Sequence, residues 1–259
     1  IEPYFVRYMK RKLTWLLKSR GVGIVEEDGV LMVLDKPSNL LVLPDRLNQS
    51  LPNLYTIIHE ELGAIFTVHR IDRETSGLIV FAKTAEAHAS LHRQFEGREV
   101  EEVYHAIVLG MPSQNEGTID APLSESGHQK GTMRIDEKEG KEALTEYTVL
   151  EEFKGYAFIE ARPKTGRTHQ IRVHLQSIGT PILGDLKYGG GEGFFLSHVK
   201  PGYRGVEEER PLLNRTALHA AGLSFLHPSS GERLKFSLPL PKDMKSVLKY
   251  LRKFRTGKN

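Results

Sequence analysis

The segment that decides the fold is residues 66–82, FTVHRIDRETSGLIVFA, in which a dense polar run separates two apolar runs. Residues 66–68 and 78–82 are rich in β-branched and aromatic side chains, which predicts a strand on each side. Residues 69–77 would then be held at a strand end, where catalytic side chains are often placed. Asp72 is the candidate catalytic carboxylate of this segment, although a lone aspartate in a loop more often serves a turn, a cap or an ion pair.

A second chemically dense segment is residues 166–174, GRTHQIRVH. Apolar spacing predicts a helix over residues 168–178 that ends at Gly179. We expect this helix to have an inward face and a polar face, formed by Ile171, Leu175 and Ile178 and by His169, Arg172 and Gln176, respectively. A helix start crowded with basic residues suits an anion, and three more lie beside it: Arg162, Lys164 and Arg167. An exposed helix with solvated charges is the alternative.

The periodicity along the whole chain predicts an α+β fold. Helical spacing of apolar residues indicates helices at 4–19, 51–62, 85–95 and 168–178, and a last one after Leu238. Alternating or β-branched runs indicate strands at 22–34 (interrupted by a turn at Asp28-Gly29), 66–68, 78–82, 100–109, 142–150, 156–162, 222–226 and 233–238. Because strand and helix do not alternate regularly, we predict a mixed, largely antiparallel sheet with flanking helices and loops.

Charge divides the chain into three parts. Residues 1–20 carry six basic residues against one acidic, and residues 242–259 carry seven against one, although the net charge is only +3. We predict a basic amphipathic helix in 1–21, a catalytic domain in 22–241, and a basic C-terminal helix packed on that domain in 242–259. Basic ends suit a polyanionic partner, and a solvated helix face is the open alternative. Glycine-rich 189–214 is predicted to be a long surface loop.

Composition and hydropathy exclude several classes of protein. The chain has no cysteine, so it has no disulfide and no thiolate metal site. Its 39% hydrophobic and 27% charged residues are ordinary for a globular protein. No run approaches the ~20 apolar residues of a membrane span, and no secretory signal is visible. We therefore expect a cytoplasmic protein without a membrane partner.

Other candidate sites have weaker support. His88 and His92 have the spacing of a helical zinc site, but no Cys, no intervening Glu and no evident third ligand accompany them. Residues 189–193, GGGEG, lack the preceding strand, the following helix and the Lys-Ser/Thr tail of a phosphate-binding loop. We predict no metal and no organic cofactor.

Five motifs occur in one order along the chain. They are residues 34–37 (LDKP) with 40–42 (LLV); 69–72 (HRID) with 75–77 (TSG); 103–106 (VYHA) with Gly110; 166–174 (GRTHQIRVH) followed by Gly179, Pro181-Ile182, Gly184-Asp185 and Tyr188-Gly189; and 217–220 (ALHA). In this order and spacing the chain resembles the RluA-type pseudouridine synthases, which isomerise uridine in ribosomal or transfer RNA. The resemblance implies the α+β catalytic fold of that family.

The resemblance also implies roles for individual residues. Asp72 matches the catalytic aspartate, Arg172 the arginine that pairs with it, and Tyr104 the tyrosine that stacks on the target base. Arg70 matches the arginine that fills the space vacated by the flipped nucleotide, and Lys36-Pro37 belongs to a motif regarded mainly as structural. The further RNA-binding candidates are His69, Lys164, Arg167 and His169.

The implied reaction suits these residue types. Uracil must leave C1′ of the ribose, turn, and rejoin through C5, so the nucleotide must first leave the helix. Stacking on Tyr104, worth ~1–3 kcal/mol per base, offsets part of that cost. Asp72 must be ionised, and an arginine partner stabilises its charge. Whether the aspartate attacks the base or the sugar, and whether Tyr104 also moves a proton, stays open at this stage.

One position departs from the family pattern, and two other hypotheses remain. Glu102 stands where the family commonly has lysine, which concerns substrate binding rather than chemistry. The expected partner is structured RNA, ribosomal or transfer, with no obligate protein partner evident. The alternatives are a non-catalytic RNA-binding protein on the same scaffold and a metal-dependent nuclease or hydrolase using His and Asp.

Overall fold

The computed structural model describes residues 4–127, 129–203 and 208–256, with side chains from residue 11 onward. These ranges contain five α-helices: α1 (Tyr4–Ser19), α2 (Leu54–Leu62), α3 (Ala85–Glu96), α4 (Gln170–Ser177) and α5 (Lys242–Phe254). They contain twelve strands: β1 (Gly23–Glu27), β2 (Leu31–Lys36), β3 (Phe66–Thr67), β4 (Ser76–Ala82), β5 (Glu101–Leu109), β6 (Glu116–Asp120), β7 (Leu123–Glu125), β8 (Met133–Ile135), β9 (Leu144–Phe153), β10 (Tyr156–Pro163), β11 (Leu218–Leu226) and β12 (Arg233–Ser237). No described helix has the length and apolar character needed to cross a membrane.

The chain folds as two compact units. Unit 1 consists of Ile1–Glu102 and Ala220–Leu238, and unit 2 of Val103–His219 and Pro239–Asn259. Each unit therefore combines segments that are far apart in the sequence. The HRID motif lies in unit 1 and the GRTHQIRVH motif in unit 2.

The sheet of unit 1 surrounds β4. Strand β2 pairs antiparallel with β1 and β4, β3 pairs antiparallel with β4, and β11 lies between β4 and its antiparallel neighbour β12. All seven residues of β4 are buried, which explains the continuous apolar run in its sequence. A core forms where α3 packs against the sheet: Leu31, Val33, Leu78, Val80, Ala82, Ala87, Leu91, Leu223 and Phe225.

The turn between β1 and β2 has the chemistry that its sequence predicts. Asp28 Oδ1 accepts the amides of Val30 at 2.7 Å and Leu31 at 2.9 Å, and Asp28 Oδ2 lies 2.8 Å from Nε2 of His227. Aspartate favours turns because its short carboxylate can take backbone amides of this kind. The predicted hairpin is therefore confirmed.

Helix α1 has the predicted bounds, 4–19, and an amphipathic face. Leu13 and Leu17 are buried, whereas Arg11 and Lys18 are exposed and the Trp15 side chain is 67% exposed. The helix packs on α2 and β1, and Lys12 Nζ lies 2.8 Å from the carboxylate of Glu61 on α2. Met9 continues the helical spacing of Leu13 and Leu17 in the sequence, and its side chain lies outside the described part.

Unit 2 is built on a second set of antiparallel strands. Strand β10 pairs with β5 and β9, and β9 pairs with β6. A turn at Lys154-Gly155 joins β9 to β10, with Gly155 at φ +80°, where glycine is favoured. Helix α4 packs on β8, β9 and β10.

Helix α5 contributes to the core of unit 2 through Met244, Val247, Leu248 and Leu251. Arg215 and Asp243 form a two-pronged ion pair at its start, with nitrogen–oxygen distances of 2.7 and 2.9 Å. Near its end, Arg252 Nε lies 2.8 Å from the Glu151 carboxylate on β9. The predicted basic helix is present, and its apolar stripe is built into unit 2.

The predicted fold class is confirmed: five helices flank a large, mostly antiparallel sheet. The sequence did not indicate β6, β7 and β8. These strands are three to five residues long and mostly not buried, so they lack the apolar run on which strand prediction depends. Their pairing with β9 and with each other defines them instead.

Two local predictions need correction. Most described residues of 189–214 form the predicted loop and are not buried, but Phe194, Val199 and Leu213 are at most 3% exposed, and Phe194 pairs with Leu213 by backbone hydrogen bonds. The glycine-rich composition obscured three apolar residues that pack inward. Ile178 was placed on the inward face of α4, but it is 36% exposed because the helix ends at Ser177 and the chain turns at Gly179 (φ +78°).

Gly77, which follows the HRID segment, should tolerate no side chain. A Cβ there would lie 2.2 Å from the carbonyl oxygen of Ala220, and φ is +115°. We expect Gly77→Ala to destabilise unit 1 by at least ~3 kcal/mol, because backbone must move to accept the methyl group. Chemical unfolding followed by far-UV circular dichroism measures this effect.

Gly63→Ala is the matched control. Gly63 also has positive φ (+76°), but a Cβ there meets nothing within 4 Å. Its cost should be limited to the conformational strain, about 1–2 kcal/mol. Equal losses for the two variants would show that the close approach to Ala220 contributes nothing.

Candidate active site

A buried lysine of unit 1 contacts the backbone directly after the HRID segment. Lys36 is fully buried, and its ammonium donates to the carbonyl oxygens of Leu40 at 2.8 Å, Pro37 at 3.0 Å and Arg73 at 3.2 Å. A buried charge is tolerated only when its hydrogen-bonding groups find partners, and three acceptors match the three hydrogens of an ammonium group. Lys36 therefore fixes the backbone immediately after Asp72.

Asp72 itself lies in a turn. Its carbonyl accepts the amide of Thr75 at 3.2 Å, and its side chain is partly exposed, between buried Ile71 and exposed Arg73. Arg70 is exposed, as expected for a residue that is to enter RNA. The segment thus leaves two of the predicted site residues, Asp72 and Arg70, at least partly exposed.

His69, at the start of the segment, is enclosed. Its Nε2 accepts the amide of Val80 at 3.1 Å, its ring stacks on Phe95 with centroids 4.6 Å apart, and its Nδ1 lies 3.5 Å from Glu102 Oε1. The His69 side chain is 9% exposed. Its two ring nitrogens therefore face protein groups of unit 1.

Tyr104 lies on β5 in unit 2, with Ala161 of β10 opposite it. Tyr104, Ala106 and Val108 are all buried. Only 7% of Tyr104 is exposed.

Arg172 is the most buried charged group of the GRTHQIRVH motif. Its Nε and Nη2 donate to Asp185 Oδ2 at 2.7 Å and Oδ1 at 2.9 Å, and Arg172 and Asp185 are 2% and 1% exposed. The guanidinium carbon also lies 5.0 Å from the ring centroid of Tyr188, a cation–π distance. The two-pronged geometry fixes the plane of the guanidinium group.

Tyr188 joins this ion pair to the start of α4. Its hydroxyl accepts the amide of Met133 on β8 at 2.9 Å and lies 2.7 Å from Nδ1 of His169. His169 has left-handed backbone (φ +54°) at the N-cap of α4. His169 and Arg172, both predicted site residues, are thus held around one aromatic ring.

The prediction that α4 has an exposed polar face was wrong. Gln170, Arg172 and His174 are at most 4% exposed, and of the predicted polar trio only Gln176 is exposed. Gln170 and His174 bond to β9 and its flanks: Gln170 to the Leu144 carbonyl, Thr145 and Thr165, and His174 Nδ1 and Nε2 to the Thr145 hydroxyl and the Ala121 carbonyl, each at 2.9 Å. Internal polar partners, which periodicity does not reveal, allow these side chains to be buried.

The remaining RNA-binding candidates lie on the segment before α4. Lys164 is 43% exposed and pairs with Glu146 at 2.8 Å, and exposed Arg167 donates from Nε to the carbonyl of Glu142 at 3.0 Å. Salt bridges of this exposure are weak, so both cations can exchange their partners for phosphate oxygens.

The structure brings some predicted site residues together and leaves one pairing as a prediction. Arg172 and His169 meet around Tyr188 in unit 2, whereas Asp72, Arg70 and His69 belong to unit 1. Pairing of Arg172 with Asp72 stays a prediction. Roles for Asp185, Tyr188 and Glu102 were missed, although Gly184-Asp185 and Tyr188-Gly189 stood among the matched motifs.

Comparison with known proteins matches this arrangement to one family. The family model described as RNA pseudouridylate synthase matches residues 30–177, more than half of the chain. The chain belongs to that family. The RluA-type resemblance drawn from the five motifs is therefore confirmed.

Individual relatives agree with the family match. The ribosomal large subunit pseudouridine synthase D of Pseudomonas aeruginosa is 38% identical over 246 residues, 93% of this chain and 75% of the relative. An uncharacterized RNA pseudouridine synthase of Chlorobaculum parvum is 41% identical over 251 residues, 91% of this chain and 76% of the relative. The solved structure of human RNA pseudouridylate synthase domain containing 4 matches with a TM-score of 0.66 at 26% identity and covers 98% of this chain.

Family membership bears on the hypotheses left open by the sequence. RNA pseudouridine synthases are isomerases, which supports the catalytic hypothesis over a non-catalytic RNA-binding scaffold. Within the described residues, no group of three or more His, Cys, Asp or Glu side chains could hold a metal ion. His88 and His92 are neighbours on α3 with ring centroids 5.9 Å apart.

Loss of the Arg172–Asp185 pair should lower the free energy of unfolding more than loss of an exposed pair of the same geometry. We expect Asp185→Asn to destabilise unit 2 by ~3–5 kcal/mol, because it leaves a buried guanidinium without its counter-charge. Glu151→Gln is the control: it breaks the two-pronged pair with Arg252, whose side chain is 54% exposed. Urea unfolding of both variants measures the difference, and similar losses would contradict a special role for burial.

The histidines of unit 2 should make stability depend on pH. Burial lowers the pKa of His174 below its ordinary value of 6.5. Below about pH 6.5, His174 therefore binds a proton more readily in the unfolded chain than in the folded chain. Stability is therefore lost as pH falls through this range. His105, whose pKa burial also lowers, adds to the slope.

Substitution of His174 isolates its contribution. His174→Gln keeps an amide hydrogen for the Ala121 carbonyl and removes the titration, so unfolding free energies at about pH 5.5 and 7.5 should differ less than in the wild type. A His174→Gln slope equal to that of the wild type would contradict the assignment.

Proposed function

We propose that this pseudouridine synthase isomerises specific uridines of large-subunit ribosomal RNA, with residues 22–241 as its catalytic domain. The observation that carries the proposal is the 38% identity to the Pseudomonas aeruginosa enzyme named for that RNA, over 93% of this chain. Transfer RNA is the second candidate substrate, since the family resemblance includes enzymes for both. Action on ribosomal RNA also favours the cytoplasm.

Asp72 is the proposed catalytic residue. The N1–C1′ bond of the uridine breaks, the base turns, and a C5–C1′ bond forms; C5 then loses its hydrogen and N1 gains one, so the reaction is a balanced isomerisation. The carboxylate of Asp72 attacks the nucleoside or stabilises positive charge at C1′ during this exchange. Its position in a turn held by Lys36 limits the motion of the group while the base moves.

Arg172 and Tyr104 complete the proposed site. Arg172 supplies the positive charge that stabilises ionised Asp72. Tyr104 presents a fixed ring on which the extracted uracil stacks, which compensates for part of the stacking lost from the RNA.

RNA contacts are assigned to three exposed cations, Arg70, Lys164 and Arg167, and to the partly exposed His169. Arg70 fills the gap left by the flipped nucleotide, and Lys164, Arg167 and His169 bind phosphate oxygens before the start of α4. The basic surfaces of α1 and α5 extend these contacts. Truncation of residues 242–259 would not test α5, because the helix supplies core residues; substitution of exposed Lys245 and Lys249 would.

Substitution of Asp72 tests the chemistry. We expect Asp72→Asn to abolish release of tritium to water from RNA labelled with [5-³H]uridine, because C5 loses its hydrogen only when the new bond forms. Asp45→Asn, at an aspartate that caps an exposed turn through the amides of Leu47 and Asn48, is the control and should retain full release. Equal release by wild type and Asp72→Asn would refute the catalytic assignment.

The substrate is tested separately in cells that lack the gene. Carbodiimide labelling and primer extension map pseudouridines in ribosomal and transfer RNA, before and after complementation. Sites restored in large-subunit ribosomal RNA by the wild type, and not by Asp72→Asn, support the proposal. Restoration of sites in transfer RNA alone would refute ribosomal RNA as the substrate, but it would not contradict the catalytic role of Asp72.

A further inference from the structure

His69 is the feature of the active segment that the proposed mechanism does not use. Its ring is enclosed by three groups of unit 1: the Val80 amide, the Phe95 ring and the Glu102 carboxylate. An RNA-contacting histidine needs an accessible ring nitrogen, whereas both nitrogens of His69 face protein groups and its side chain is 9% exposed. These contacts favour a structural role for His69 within the protein over a contact with RNA.

The contacts of His69 determine where its ring hydrogen lies. Nε2 uses its lone pair to accept the Val80 amide at 3.1 Å, so the hydrogen is on Nδ1. Nδ1 then faces Glu102 Oε1 at 3.5 Å, the outer limit of a hydrogen bond. An acceptor is thus required opposite Nδ1, and a carboxylate supplies it.

Glu102 provides the acceptor that faces Nδ1. It lies on β5, two residues before Tyr104, with its side chain 19% exposed. A donor-only group such as an ammonium could not accept the Nδ1 hydrogen at this position.

The two ends of the active segment are fixed by different buried groups. His69 is bonded to β4 and faces β5 at the start of the segment, and Lys36 holds the carbonyl of Arg73 at its end. Arg70, Ile71 and Asp72 lie between these two points. A change at His69 consequently alters the backbone path that carries Asp72.

We propose that His69 and Glu102 form a positioning pair that sets the location of Asp72, and that His69 does not contact RNA. The proposal rests on the catalytic role assigned to Asp72. A displacement of about 1 Å at a reacting group can cost on the order of 10²-fold in rate, so the pair acts on kcat and not on RNA affinity.

Amide substitutions separate the two polar contacts of His69. His69→Gln places a carbonyl oxygen near the position of Nε2 and keeps the Val80 hydrogen bond, whereas His69→Asn places an NH₂ group near Nδ1 and keeps the contact with Glu102. His69→Phe keeps only the stacking on Phe95. We expect kcat to fall ~10-fold in each amide variant and ~100-fold in His69→Phe, with apparent KM changed less than ~3-fold.

Glu102 variants test the coupling. Glu102→Gln keeps an acceptor and should retain activity within ~3-fold, whereas Glu102→Leu should lose ~10-fold in kcat. If the two residues act as one unit, His69→Phe combined with Glu102→Leu should be no slower than His69→Phe alone. Asp28→Ala, which loses the bonds of the β1–β2 turn, is a destabilised control that should keep the wild-type kcat well below its melting temperature.

The assay is tritium release from total RNA of gene-deleted cells labelled with [5-³H]uridine, so it does not depend on which RNA is the substrate. A raised KM with unchanged kcat in the His69 variants would indicate that His69 contacts RNA, and it would overturn the proposal. Additive losses in the double variant, or rates that follow melting temperature as in Asp28→Ala, would overturn it as well. A wild type that releases no tritium would instead refute the catalytic assignment on which the proposal rests.

Discussion

A buried guanidinium group has to be neutralised where it lies, and unit 2 is arranged around that constraint at Arg172. Asp185 takes two of its hydrogens, and Tyr188 covers its face. These two residues lie in the turn after α4, and the Tyr188 hydroxyl in turn bonds to His169 and to the backbone of β8. One charge thereby links the start of α4, the turn that follows the helix and a neighbouring hairpin. The cost of leaving any of these groups without its partner keeps all of them in place.

Unit 1 also encloses a buried cation, and backbone groups contact it. The ammonium of Lys36 donates to three carbonyl oxygens. Three carbonyls can reach one ammonium only where the backbone curves around it. The contacts of Lys36 therefore constrain the backbone at Pro37, Leu40 and Arg73. The proposed catalytic aspartate lies one residue before one of these carbonyls. The two units thus use buried cations to give precise shape to segments without regular secondary structure.

Much of the fold could be predicted from the sequence, and the reasons for the failures are physical. Helix α1, the β1–β2 hairpin and the β9–β10 hairpin follow from local patterns, because a helix face or a turn residue acts within a few positions. Buried Gln170 and His174 could not be anticipated, since their partners on β9 are some thirty residues away. Asp72, Tyr104 and Arg172 were found through ordered motifs, not through composition. The partners that hold these motifs, Asp185, Tyr188 and Glu102, are specified only by three-dimensional contacts.

Trp15 has a consequence of another kind. It is the chain's single tryptophan, and it lies on the exposed side of α1 at 67% exposure, while both cores are built from aliphatic residues, phenylalanine and tyrosine. Indole fluorescence of the native protein therefore reports the environment of the α1 surface and hardly that of the interior. A macromolecule that covers α1 would change the Trp15 emission, whereas loosening of the core would not.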